Sequence, residues 1–104
     1  PGNPGTAPIG TNLAIAINDF NALKNAVITH QIEMIIVGPE DPLVNGIADF
    51  FANDPDTNSI NVIGPHAIAA QMEGSKAFSK HFMQRHKIPT ASYAEFTKEN
   101  SKVV

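Results

Sequence analysis

Two short apolar runs that each end in Gly-Pro, with helical apolar stripes between and after them, predict an α/β chain built on a mostly parallel, Rossmann-like sheet. The first run is Ile32 to Val37, closed by Gly38 and Pro39. The second is Ile60 to Ile63, closed by Gly64 and Pro65. Met34, Ile35, Ile36 and Val37 are apolar without a break, which suits parallel strands in a sheet covered on both faces. Two strands of one sense deliver both Gly-Pro turns to one edge. Open α/β sheets hold their ligands at that edge, so a shared cleft is expected there.

The elements follow in order. PGNPGT at the start repeats Pro and Gly around Asn3 and reads as a loop with tight turns and exposed amides. Leu13, Ile15 and Ile17 alternate as in a short strand, after which Asn18 or Asp19 can cap a helix. That helix carries Phe20, Leu23 and Val27 on its apolar face and should end near Gln31. After the first Gly-Pro turn, Asp41 is placed to be an N-cap with Pro42 at the first helical position. Leu43, Ile47, Phe50 and Phe51 form a helical stripe facing the sheet, and Asn53 to Asp56 are the exit loop. Beyond the second strand, a short helix from about His66 to Met72 is interrupted at Gly74. Ser75 can cap another helix carrying Phe78, Phe82 and Met83. Ala91 to Phe96 alternates weakly as a final strand, and Thr97 to Val104 is a polar trailing end.

At 104 residues the chain is a single domain, short for a two-substrate enzyme with its own ATP site. It begins at Pro1, inside a loop, so upstream sequence is expected to be missing. Seven basic and ten acidic residues leave a net charge of −3, with no Lys or Arg stripe. Nucleic acid and anionic membranes are therefore poor partners, and a small molecule fits better. Without cysteine there is no disulfide, zinc-thiolate site or cysteine nucleophile. No run approaches the roughly 20 apolar residues of a membrane span, and PGNPGTAPIG is unlike a signal peptide, so the cytoplasm is expected.

Two residues could carry chemistry. Glu40, at the end of the first strand, offers a fixed acceptor for hydroxyls or an amine. With Asp41 beside it, it repels phosphate, so it should read the sugar or amine part of a ligand, unless it only caps the helix. Lys76, in Glu73-Gly74-Ser75-Lys76, opens a helix whose dipole prefers an anion. A bound ATP phosphate would resolve that conflict, and a plain surface lysine is the alternative. Lys80, one turn on, reads as part of a solvated face. His30, His66, His81 and His86 lack metal-ligand spacing, so no metal site is assigned. Arg85, His86 and Lys87 complement the end of a helix dipole. No complete Gly-x-Gly-x-x-Gly or Walker A loop is present.

Taken together and in this order, PGNPGT at 1–6, VGPEDPLVNGIADFF at 37–51, IGP at 63–65, MEGSKAFSKHFM at 72–83 and IPTASY at 88–93 resemble the phosphoribosylamine-glycine ligases, also called glycinamide ribonucleotide synthetases. The resemblance runs from Pro1 to about Phe96. It implies a ligase of purine biosynthesis, in the ATP-grasp superfamily, that joins glycine to 5-phosphoribosylamine with ATP and magnesium through a glycyl phosphate. By the same resemblance, residues 1–93 are most of the Rossmann-like domain that precedes the ATP-grasp domain, and 94–104 begin the next region. The first strand with its Gly-rich loop, and the lobes that hold ATP and magnesium, are expected to be missing. The fragment alone is therefore expected to be inactive, to bind no cofactor tightly and to contain no catalytic residue. Carried over by position, Glu40 corresponds to a glutamate that contacts the ribosyl substrate, and Lys76 to a basic residue that contacts ATP phosphate. Gly2, Asn3 and Gly5 correspond to the loop bordering the ribosylamine pocket. A noncatalytic Rossmann-like module that binds a phosphorylated sugar, or a related ATP-grasp carboxylase or formyltransferase, is the alternative.

Overall fold

A computed structural model describes residues 2–97, so Pro1 and the trailing end from 98 to 104 lie outside the described residues. The order of elements is α1 (Phe20–Thr29), β1 (Met34–Ile36), α2 (Glu40–Val44), α3 (Ile47–Asn53), β2 (Asn61–Ile63), α4 (Ala67–Gly74) and α5 (Lys76–Arg85). β1 and β2 pair in parallel, with Met34 opposite Asn61, Ile35 opposite Val62 and Ile36 opposite Ile63. The α/β alternation and the parallel sheet are those expected from the sequence.

Asp19 starts α1 by accepting the Ala22 N–H at 3.0 Å, one of the two caps proposed for it. The helix closes where Gln31 turns to a φ of +51° and the Ile32 N–H reaches the Val27 carbonyl at 2.9 Å. α5 opens on Ser75, whose hydroxyl accepts the Phe78 N–H at 3.2 Å, as predicted.

The helix after β1 departs from the sequence reading in two ways. It begins two residues early, with Pro39 as N-cap, so Asp41 lies inside the first turn instead of capping it. Pro42 is tolerated because a first-turn N–H has no intrahelical partner to lose. The single apolar stripe is also divided between two helices. Gly46 takes a φ of +88°, a conformation a β-carbon disfavours, and its N–H closes on the Leu43 carbonyl at 3.0 Å.

The core forms where these helices meet one face of the sheet. Val27, Leu43, Ile47, Phe51 and Ala70 are buried together, with Phe20, Leu23, Ile35, Val37, Val44, Phe50, Ile60 and Val62 packed around them. Phe51 is the most enclosed of them, at 1% exposure. Phe50 bridges Phe20 and Phe51, with ring centroids 5.5 Å apart in both pairs. Thr57 is fully buried and turns its hydroxyl to the Phe51 carbonyl at 3.1 Å, satisfying a helix-end acceptor that would otherwise be orphaned.

Two glycines let α2 approach closely. A β-carbon on Gly64 would lie 2.5 Å from Leu43 Cδ2, and one on Gly74 would lie 2.3 Å from Val44 Cγ2. Gly74, read from the sequence as a helix interruption, is thus also a point of contact between α4 and α2.

Three expectations are corrected. The sheet is covered on one face only: Ile35 and Val62 point to the core, whereas Met34, Ile36 and Ile63 on the opposite face are exposed, Ile36 to 75%. No described helix packs on that second face, so the unbroken apolar run overstates its burial. Leu13 to Ile17 forms no strand, because alternation becomes a strand only beside a hydrogen-bonding neighbour and none is described there. Ala91 to Phe96 is likewise irregular, held by side chains to α5 rather than by a ladder.

Lys24 supplies an electrostatic tie that periodicity does not reveal. Its ammonium on α1 lies 2.7 Å from Asp54 Oδ2 and 2.9 Å from Asp56 Oδ2 in the loop after α3. The Lys24 ammonium, and then the Asp56 N–H, hold the Asp54 carboxyl below its ordinary value. Asp54, then Asp56, raise Lys24.

Truncating Phe51 to Ala should cost about 3–5 kcal/mol, and Gly64→Ala about 1–3 kcal/mol through overpacking against Leu43, both read by urea denaturation. Because Asp54 is depressed, its contribution is present above the unfolded carboxyl value of about 3.9 and is lost as pH falls through the lower folded value. Because Lys24 is raised, its contribution is present below about 10.4 and is lost as pH rises through the higher folded value. The Tm difference between the wild type and Lys24→Met should therefore stay constant from roughly pH 5 to 9 and shrink below about pH 4.

Candidate functional site

Parallel pairing in register sets the position of the site. The ladder continues past β1, with the Val37 N–H on the Ile63 carbonyl at 3.1 Å. Gly38-Pro39-Glu40 and Gly64-Pro65-His66 therefore leave the sheet side by side at its carboxyl edge, as the two Gly-Pro motifs predict.

Beside the first turn lies a cleft of about 400 Å³. Gly2, Thr6 and Asn12 line it on one side, and Ile36, Gly38 and Pro39 on the other. The amino-terminal loop and the strand-to-helix turn thus share one concavity. Leu13, Ile15 and Ile17, the residues read as a strand, contribute to its apolar wall instead. The Gly64-Pro65 turn does not line this cleft, so the two turns share an edge but not one pocket.

Within the loop, Asn3 is a structural organiser. Its Oδ1 accepts the Gly5 N–H at 2.8 Å and the Thr6 N–H at 3.2 Å, so these two amides are occupied rather than exposed as the sequence suggests. Asn12 donates from Nδ2 to the Asn3 carbonyl at 3.1 Å, and Thr6 Oγ1 lies 2.7 Å from Asn12 Oδ1. Gly2 lies so close to Asn12 that a β-carbon there would overlap the amide, 1.8 Å from its Oδ1. Of the three loop residues singled out from the sequence, Gly2 lines the cleft, while Asn3 and Gly5 build the turn behind it.

Glu40 is the first residue of α2, exposed just beyond Pro39, with no hydrogen-bond partner among the described residues. Its neighbour Asp41 is fully engaged. Asp41 Oδ2 accepts from Asn18 Nδ2 at 2.5 Å and its Oδ1 from Asn45 Nδ2 at 3.4 Å, which ties the segment before α1 to α2. The two adjacent carboxylates therefore differ: Asp41 fixes the turn, and Glu40 is exposed and makes no such tie.

At the second turn, Asp49 on α3 accepts the Ala67 N–H and a His66 Nδ1 contact, each at 2.8 Å. The Ala67 N–H first, and His66 next, hold the Asp49 carboxyl below its ordinary value. This capping carboxylate comes from a different helix than the one it caps, so no local motif announces it.

Lys76 is elsewhere. It is the first residue of α5, exposed, with no acidic side chain in its own first turn. It lines a separate cleft of about 530 Å³ with Ala77, Lys80, Tyr93 and the segment up to Thr97. The structure brings Gly2 together with Gly38 and Pro39, next to Glu40, and keeps Lys76 apart from them. Sequence reasoning missed Lys80, which is bound to the segment after α5 rather than solvated. Among the described residues no three His, Asp or Glu side chains converge as metal ligands, and no helix is long and apolar enough to cross a membrane.

Comparison with known proteins bears on what this edge serves. The family model described as "Phosphoribosylglycinamide synthetase, N domain" matches residues 1–73. The phosphoribosylamine--glycine ligase of Escherichia coli K12 is 50% identical over 99 residues, and the match covers 93% of this chain and 22% of that enzyme. The protein of the same name from Vibrio vulnificus YJ016 is 48% identical over the same shares. The bifunctional purine biosynthetic protein ADE5,7 of Saccharomyces cerevisiae is 45% identical over 103 residues, 93% of this chain and 12% of that protein. The chain thus spans about a fifth, or less, of the relatives it matches. With well over half of its length matched by the family model, and every motif of the carboxyl edge inside that stretch, the chain belongs to the phosphoribosylglycinamide synthetase family, as its N domain.

Proposed function

We propose that this chain is the amino-terminal part of a cytoplasmic ligase that joins glycine to 5-phosphoribosylamine, with ATP, in purine biosynthesis. The observation that carries this reading is the 50% identity, over 93% of the chain, to a phosphoribosylamine--glycine ligase. Residues 1–93 are then most of a Rossmann-like domain, and 94–104 lead into the ATP-grasp region.

In this reading the cleft between the amino-terminal loop and the Gly38-Pro39 turn receives the ribosylamine. Its apolar floor and the exposed Glu40 carboxylate at its margin suit a sugar whose hydroxyls and amine need an acceptor. Glu40 binds and orients that nitrogen, and Gly2, held by Asn3 and Gly5 behind it, keeps the loop close to the ligand. Lys76 meets an ATP phosphate, where its charge and the α5 amino terminus add together. The nitrogen attacks the carbonyl carbon of glycyl phosphate, a carbon-nitrogen bond forms, phosphate leaves with the carbon-oxygen bonding pair, and the nitrogen gives up one proton to water. The described residues supply binding groups for this step and no nucleophile. Magnesium would neutralise phosphate charge. No convergent ligand set for it is found among the described residues, so none is assigned to this chain.

Glu40→Gln in the full-length ligase should weaken ribosylamine use by roughly tenfold or more, since a charge-assisted hydrogen bond contributes about 1.5–3 kcal/mol, and should leave the apparent affinity for ATP unchanged. Steady-state kinetics with each substrate varied in turn reads this. Unaltered ribosylamine kinetics would remove Glu40 from the site. Lys76→Ala should weaken ATP binding about tenfold without lowering Tm, as measured by ATP titration alongside thermal unfolding. Wild-type ATP affinity in the folded variant would make Lys76 an ordinary surface lysine.

A further inference from the structure

The segment that follows α5 has no secondary structure to hold it, yet it lies back along that helix. Lys87 reverses the chain with a φ of +54°, and the Ile88 N–H closes on the Met83 carbonyl at 2.8 Å. One ammonium then gathers the returning segment. Lys80 Nζ donates to Thr90 Oγ1 at 2.6 Å and to the Ala91 carbonyl at 3.0 Å, and lies 5.5 Å from the centroid of the Tyr93 ring. Tyr93 in turn donates its hydroxyl to Gln84 Oε1 at 3.0 Å, and His81 Nε2 lies 3.0 Å from Glu95 Oε1. Residues 93–97, placed by these contacts, are the wall that faces Lys76 across its cleft.

We propose that Lys80 is a positioning residue: by clasping Thr90, Ala91 and Tyr93 it fixes the course of the chain after α5 and so builds the far wall of the cleft that contains Lys76. The consequence for catalysis rests on the reading that this cleft takes an ATP phosphate. The clasp itself does not. Of the two lysines one turn apart, Lys80 spends its charge on the returning segment and Lys76 keeps its own for a ligand. A cation suits the clasp because it satisfies a hydroxyl, a carbonyl and an aromatic face at once, none of which an apolar side chain could hold in register.

The test compares Lys80→Met, Lys80→Arg and Lys76→Ala in the full-length ligase by amide hydrogen exchange and substrate kinetics. Lys80→Met should speed exchange of the 90–95 amides by about fivefold or more, raise the KM for ATP by a similar factor and leave the glycine KM and Tm unchanged. Lys80→Arg should restore most of both effects. Unchanged exchange at 90–95 in Lys80→Met would overturn the clasp. Faster exchange with an unchanged KM for ATP would overturn the positioning role. If Lys80→Met alters ATP use while Lys76→Ala does not, the phosphate reading of Lys76 fails and the positioning role of Lys80 stands.

Discussion

The close approach of α2 to the end of β2 and to the end of α4 is the constraint on which the rest of the fold depends. It is possible because Gly64 and Gly74 carry no β-carbon where Leu43 and Val44 press against them. Once α2 is seated there, Leu43 joins Ile47, Phe51 and Ala70 in a common core, and β1 is held beside β2. The same seating fixes where α2 begins. Pro39 and Glu40 are thereby presented at the carboxyl edge of the sheet instead of folding over it.

That edge separates structural polar groups from available ones. Asp41 and Asp49 both accept from distant parts of the chain, one from Asn18 and the other from the start of α4. Each is committed to holding elements together. Glu40, immediately before Asp41, has no such commitment. A carboxylate left solvated keeps its hydrogen-bonding capacity, and ordering its side chain would still cost rotamer entropy. The amino-terminal loop follows the same logic. Asn3 consumes the Gly5 and Thr6 amides internally, which stiffens the loop and leaves it to contribute shape rather than donors.

The lysines divide in a similar way. Lys24 and Lys80 each bind two oxygens from segments far along the chain or beyond the helix end, where no ladder could provide the attachment. Lys76 has no acidic residue in its own helix turn. A small core leaves much of the chain to be organised by such polar ties, and the exposed face of the sheet at Met34, Ile36 and Ile63 shows how little of the apolar surface this chain covers by itself.

The sequence by itself determined the α/β alternation, the parallel pair ending in two Gly-Pro turns, the Ser75 cap, a cap at Asn18 or Asp19, and the motif series that identifies the family. These depend on local propensity, period and spacing, which are written residue by residue. Only the tertiary structure decided that Leu13 to Ile17 would line a cleft instead of pairing as a strand, that Gly46 would divide one helical stripe into two helices, and that Asp41 would tie rather than cap. It also decided that Lys76 would line a cleft apart from the one beside Gly38 and Pro39, and that Lys80 would hold the chain beyond α5. Each of these is settled by a partner distant in sequence, or by the absence of one, and a pattern confined to neighbouring residues has no access to that partner.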